Sequence, residues 1–353
     1  MTAFMSAVVM APTTRQAAKG PTVFDYDSAF RLNYGVFSQE QQDRIREARV
    51  TILGLGGAGA AMAILLARSG IGGLNLIDPG RLAETDLNWH IGCFVDTMGE
   101  LRAEVTQSDI LRINPAAHVQ VYPRQLSFDE LGDVIAASDV FVSASDDLAL
   151  SSTALVLAQQ RKKFALTWMP SGLTGYVAVF PPDLPSIVEP AGLFGVPKGL
   201  SYTGLRDFLR DPLHRCGRRW YVTQGKWRIG WFVRWRKDET MPLAQICANV
   251  WLGASVAAME ILKHLTGIGP VVRAPEMWHV EAAENRVRVG RFRRRTTFFL
   301  RYILWAFHVR WLGLGSWVRR QAAGQLGRQL AEMEQKEQAG QEVELPFLWR
   351  HVI

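Results

Sequence analysis

Arg49-Val50-Thr51-Ile52-Leu53-Gly54-Leu55-Gly56-Gly57-Ala58-Gly59 is the stretch on which the fold of this chain turns. Residues 49–53 are apolar and β-branched, the composition of a buried strand. Four glycines follow within residues 54–59, and a helical pattern runs from Ala60 to Arg68. Strand, glycine turn and helix together present free backbone N–H groups and a helix N-terminus to an anionic phosphate. Gly54 and Gly56 allow a tight turn and close phosphate approach, Gly57 extends the turn, and Gly59 lets the helix pack against the strand. The competing reading is a glycine turn that packs a helix on a sheet and binds nothing.

Working outward, Leu74-Asn75-Leu76-Ile77-Asp78 reads as the next parallel strand, after a break at Gly70, Gly72 and Gly73. Asp78 lies 24 residues beyond Gly54, near the spacing at which a carboxylate accepts hydrogen bonds from a ribose. A capped helix is expected over residues 38–48, and further helices over 98–113, 128–137, 149–161 and 243–265. Strands are expected at 119–122, 140–144, 164–167 and 175–180, and a strand-like stretch at 276–289. Strands alternating with helices predict an α/β, doubly wound, mostly parallel Rossmann-like sheet. Residues 183–240 break the alternation and read as an inserted cap, with a hairpin-like piece from Trp220 to Trp235. Residues 1–25 read as a flexible leader, 26–295 as the nucleotide domain, and 296–353 as a helical, basic and aromatic C-terminal appendage.

The net charge of +7 is local rather than general. Eleven arginines and no Asp, Glu or Lys lie between Arg286 and Leu330, and without that segment the remainder carries −4. Cys93, Cys216 and Cys247 are odd in number and form no C-x-x-C, which argues against a disulfide framework or a cysteine zinc site and for a reducing, cytoplasmic setting. The arginine–aromatic tail suits a membrane interface, an acidic partner or RNA. It suits equally a helix pair packed on the sheet domain with its arginines snorkelling.

The residues from Ala48 to Gly59, with Asp78, Thr85-Asp86-Leu87-Asn88, Arg112-Ile113-Asn114-Pro115, Ser145-Asp146-Asp147 and Gly175 to Phe180, resemble the ThiF/MoeB family over roughly residues 26–290. This is the superfamily of ATP-dependent adenylyltransferases that includes ubiquitin-activating enzymes. The double-glycine form G-x-G-G-x-G followed by R-I-N-P is its most specific element. The resemblance implies that ATP activates a carboxylate, usually the C-terminus of a ubiquitin-like or sulfur-carrier protein or peptide, in a homodimer. It implies catalytic roles for Asp146, Arg102 and Asn88, and cofactor binding by Gly54, Gly56, Gly57, Gly59, Asp78 and Arg31, the last across a dimer interface. Asp146 matches the family's Mg²⁺ ligand, and no structural zinc is expected.

The reaction suits these residue types. A carboxylate needs no general base; the difficulty is bringing two anions together and releasing pyrophosphate, which calls for cations and oriented amides. Two departures bear on it. Trp89 stands where the family has a triphosphate-binding arginine, so Trp89 and His90 either pack or reshape the site. Cys216 and Cys247 do not fall at the family's thioester position, although Cys216 sits among His214, Arg215, Arg218 and Arg219, a setting that lowers a thiol pKa. Three alternatives stay open beside carrier adenylation. They are a tRNA-modifying adenylating dehydratase using basic residues 210–236, a catalytically degenerate nucleotide- or partner-binding protein, and an NAD-dependent oxidoreductase, for which no hydride-transfer residues stand out.

Overall fold

In the computed structural model, residues 24–184, 202–210, 225–237, 241, 243–291, 328–329, 331–341 and 343 are described. Strand β1 (Arg49–Leu53) lies inside the sheet, parallel on one side to β2 (Gly73–Ile77) and on the other to β4 (Val140–Ser143). Strand β3 (His118–Tyr122) pairs parallel with β2. Beyond β4 come β5 (Phe164–Ser171), β6 (Thr174–Phe180), β7 (Glu276–Glu281) and β8 (Arg286–Arg291), giving the order β3-β2-β1-β4-β5-β6-β7-β8. The first five strands are parallel and the last three antiparallel. Strand order reverses between β1 and β4, so a crevice opens at their carboxyl ends, the place where open α/β sheets bind ligands.

Helices cover both faces, as a sheet with buried parallel strands requires. On one face lie α2 (Gln39–Glu47), α3 (Gly57–Arg68), α4 (Arg102–Ile113) and the long C-terminal helix of the domain, Cys247–Thr266. Ile52, Met62, Leu66, Val142, Leu166 and Ile261 form the core beneath them. On the other face α5 (Phe128–Ala136) and α6 (Leu148–Gln160) bury Leu131, Ile135, Phe141 and Ala158. The short α1 (Tyr26–Ala29) is pinned to this frame by Tyr26, whose hydroxyl donates to the Gly70 carbonyl at 2.6 Å and accepts from Gln42 at 2.9 Å. Ser38 and Gln41 form the capping box expected at the start of α2.

Several elements differ from the sequence expectation, each for a local reason. The helix expected from residue 98 starts at Arg102, because Gly99 adopts φ +89 and interrupts the helical path. Residues 175–180 do not continue the parallel series: Gly172 and Leu173 join β5 directly to β6, and so short a connection permits only antiparallel pairing. The stretch 276–289 is two strands, folded back at Asn285 with φ 54. The hairpin-like piece contains a helix, α7 being Tyr202–Arg210 and α8 Ile229–Lys237. Trp227, Trp231 and Trp235 recur every four residues, a helical period, and Ile229, Phe232 and Trp235 are buried. The long helix, α9 (Cys247–Thr266), ends as expected at Gly267, with φ +74.

Residues 1–23, 185–201, 211–224 with Cys216, and 292–327 fall outside the described residues, so the leader, much of the insertion and most of the appendage receive no structural account. Residues 331–338 are helical, and Glu337 accepts from the Ile229 and Gly230 amides at 3.1 and 3.4 Å, capping α8. Among the described residues no helix is long and apolar enough to cross a membrane.

Candidate functional site

The glycine turn forms one wall of a cavity of about 450 Å³ at the carboxyl ends of β1, β2, β4 and β5. Gly54 has φ +90, and a methyl group on it would fall 2.7 Å from the Ala144 carbonyl, so both conformation and space require glycine. On Gly59 a methyl would fall 1.9 Å from the Gly54 carbonyl oxygen, which is the close helix–strand approach expected of that position. Gly56 is the N-cap of α3 and supplies no capping side chain, so the first-turn amides of a twelve-residue helix remain available to an anion. Gly54 and Gly56 line the cavity; Gly57 and Gly59 shape the turn from behind.

Asp78 follows β2 and is buried at 6% exposure. Its Oδ2 accepts from the Leu55 amide at 2.6 Å and its Oδ1 from the Gly80 amide at 2.6 Å. It lines the cavity while holding the glycine turn against the next loop. The residue therefore positions the turn while contributing to the cavity wall.

Arg102, the first residue of α4, also reaches the cavity, but its guanidinium grips Asp86. Nη2 and Nε lie 2.8 and 3.3 Å from the Asp86 Oδ2. Asp86, at 2% exposure, in turn accepts from the Ala83 amide. Asp86 belongs to the loop motif that carries the family resemblance but had no role assigned from sequence; its signal is an acid within a loop that precedes an arginine-led helix. The Ser145-Asp146-Asp147 turn divides its labour. The Asp147 Oδ1 accepts from the Ala149 and Leu150 amides at 2.9 and 3.1 Å, which is the N-cap of α6, whereas Asp146 stands in the cavity wall. Among the described residues no cluster of three or more His, Cys, Asp and Glu groups gathers to hold a metal unaided. A Mg²⁺ ion that takes most of its ligands from phosphate and water needs one or two carboxylates, and Asp146 is a cavity-wall carboxylate that could supply one.

The 3₁₀ turn Glu84–Asn88 places the remaining loop residues. Asn88 is exposed and donates to the Gln245 carbonyl at 3.2 Å, outside the cavity lining. The Trp89 indole rests against Gly56 and Gly57 and forms part of the cavity wall, while the Trp251 indole donates to the Trp89 carbonyl at 3.0 Å. His90 is a packing residue: its Nδ1 accepts from the Gly92 amide at 3.0 Å, so Nε2 carries the proton and donates to the Leu55 carbonyl at 2.9 Å. Burial holds its pKa below the ordinary range. Arg31 lies exposed on the turn Arg31–Gly35, away from the cavity of its own chain. Cys93 and Cys247 lie outside the cavity lining, and burial raises both thiols. Thus Gly54, Gly56, Asp78, Arg102 and Asp146 come together, and Asn88 and Arg31 do not join them.

The glycine turn, the acidic residue after β2 and the crevice between β1 and β4 define a doubly wound, Rossmann-like α/β protein. The chain belongs to the ThiF family, whose model matches residues 30–297. It is 26% identical over 144 residues to the tRNA threonylcarbamoyladenosine dehydratase of Haemophilus influenzae, covering 40% of this chain and 55% of that one. To the probable adenylyltransferase/sulfurtransferase MoeZ of Mycobacterium tuberculosis it is 27% identical over 236 residues, 65% of this chain and 50% of the relative. The chain spans about half the length of these curated relatives. Among solved structures, Escherichia coli MccB with MccA-N7isoAsn superposes with a TM-score of 0.58 at 16% identity, over 77% of this chain and 73% of that one. PaaA superposes with a TM-score of 0.57 at 17% identity, over 78% and 86%. These two likenesses establish the fold.

Proposed function

We propose that this chain is an ATP-dependent adenylyltransferase that activates a carboxylate at the C-terminus of a carrier protein or peptide. The observation that carries the reading is the convergence of the glycine turn, Asp78, Arg102 and Asp146 on one cavity. The α3 amides would receive phosphate oxygens, and Asp78 would accept from the ribose. Asp146 would hold Mg²⁺, which when bound would neutralise charge on the departing pyrophosphate. The acceptor carboxylate is already a nucleophile, so its attack on the α-phosphorus forms the acyl–oxygen–phosphorus bond as the bond to pyrophosphate breaks, with no proton to move. The chain's part is to align the two anions and lower their repulsion. Relatives named adenylyltransferases support this chemistry, as do solved structures of MccB described with ATP and with the peptide MccA.

Leu32 and Val36 are 91% and 71% exposed beside Arg31, which favours a homodimer in which Arg31 serves the neighbouring site. Pyrophosphate–ATP exchange tests the chemistry. Exchange dependent on a C-terminal carboxylate and lost in Asp146→Ala supports it, and robust exchange by that variant removes the metal role. The dehydratase relative favours a second reading, in which the carboxylate resides on a modified tRNA base. Salt-sensitive tRNA binding with tRNA-dependent exchange selects that reading.

A further inference from the structure

The order of the strands gives the cavity two ends. Gly54, Asp78 and Asp146 follow β1, β2 and β4, whereas Thr167 belongs to β5 and Gln245 pairs with Gly172 just beyond it. A nucleotide on the glycine turn and Asp78 would leave the β5 end for the acceptor. The charged residues described in the lining, Asp78, Arg102, Asp146 and Asp147, come from the β2 and β4 sides; the polar residues that reach it from the β5 side, Thr167 and Gln245, are neutral. The backbone there is held on both sides. The Gly172 amide donates to the Ala244 carbonyl at 2.7 Å, and the Asn88 side chain donates to the Gln245 carbonyl at 3.2 Å. The Gln245 Oε1 is buried and has no hydrogen-bond partner among the described residues. The Asn249 Oδ1 and the Trp227 Nε1 also lack one, but neither residue lines the cavity. An unpaired buried acceptor is costly, and one on a cavity-lining residue is accounted for by a donor that arrives with the ligand.

Resting on the adenylation reading, we infer that Gln245 accepts the last peptide N–H of the acceptor tail, so that the site selects a carboxylate whose neighbouring group is a peptide bond. ATP does not supply this donor in that reading. Its phosphates carry only acceptors, and the ribose and the base beyond it lie toward Asp78 and β2. In a peptide the last N–H stands on the carbon that bears the terminal carboxylate. Bonding it restricts where the carboxylate can lie, which is the alignment the reaction needs. An acceptor without that N–H would leave the Gln245 Oε1 unpaired, at a loss of about tenfold in affinity.

The test uses the full chain with the ATP analogue AMPCPP and two probes. One is N-acetylglycylglycine; the other is N-acetylglycylglycolate, in which an ester oxygen replaces the last peptide N–H. Calorimetry should give binding about tenfold tighter for the peptide probe than for the ester. Gln245→Met keeps the side-chain length without the acceptor and should reduce that preference to about twofold or less. Gln245→Glu keeps an acceptor and should retain the ratio even as its charge weakens both probes. AMPCPP alone should bind Gln245→Met as it binds the unaltered chain. The two probes on the unaltered chain decide the inference even if neither variant folds. Equal binding of the two would overturn it and leave the Gln245 Oε1 to a bridging water. So would a preference that survives Gln245→Met, a defect in that variant confined to AMPCPP, or no binding of either probe at millimolar concentration. The same probes in pyrophosphate–ATP exchange separate the two readings. A peptide preference in binding without exchange keeps the Gln245 contact and removes adenylation, whereas exchange that is equal for both probes does the reverse.

Discussion

The Trp89 indole lies so close to Gly57 that a methyl group on the glycine would fall 2.2 Å from Cε3 and 2.7 Å from the Trp89 carbonyl oxygen. Gly57→Ala therefore forces apart the loop and the first turn of α3, at a cost of about 1–3 kcal/mol in urea denaturation. Trp89→Ala in the same chain should recover part of that loss. It should not recover all, because the backbone carbonyl remains in place.

Arg102 has a structural duty besides any role toward phosphate. Arg102→Ala would strand the Asp86 carboxylate at 2% exposure. The expected loss is about 3 kcal/mol, measured by denaturant titration. Pairing the change with Asp86→Asn should shrink the loss, since the buried charge is removed with its partner. If Arg102→Ala leaves stability untouched while abolishing nucleotide binding, the ion pair is not what fixes this loop.

The neighbouring aspartates should separate by readout. Asp147→Ala removes the α6 cap and should lower stability by about 1 kcal/mol, seen as a depressed thermal midpoint. Asp146→Ala should instead reduce pyrophosphate–ATP exchange by on the order of a hundredfold. A larger exchange defect in Asp147→Ala than in Asp146→Ala would exchange the roles given to these two residues.

His90, His264 and His279 all have pKa values lowered chiefly by burial. Each is neutral in the fold and protonates more readily when the chain unfolds. Stability is therefore fully present above the ordinary histidine pKa, about 6.5, and falls as the pH drops below it toward the folded values. Thermal midpoints between pH 8 and pH 5 should decline on the acid side. His90→Gln should flatten part of that slope, since it removes a buried imidazole whose protonation would break the bond from the Gly92 amide to Nδ1.

Much of the site was legible because local rules determine it. The β-branched run of β1, the glycine turn, the Ser38 cap and the Gly267 stop need only neighbouring residues, and each stands where the sequence placed it. Within Ser145-Asp146-Asp147 the resemblance singled out Asp146, whereas the capping duty of Asp147 emerges only from its bonds with two backbone amides of α6. The Trp227–Trp231–Trp235 spacing was present in the sequence, but its helical period was obscured by interleaved arginines.

The sequence by itself determined that a strand, a phosphate-type turn and a helix would begin the domain, since residues 49–59 carry their own backbone preferences and apolar pattern. Only the tertiary structure decided what faces that turn. The indole of Trp89 rests on it, Asp86 engages Arg102, and Trp168 and Leu243 arrive from other elements to wall the far end. Those partners lie from 16 to 82 positions away in the hydrogen-bonded pairs Arg102–Asp86 and Trp168–Val250. Propensity and spacing do not encode such contacts; sheet order and close packing do.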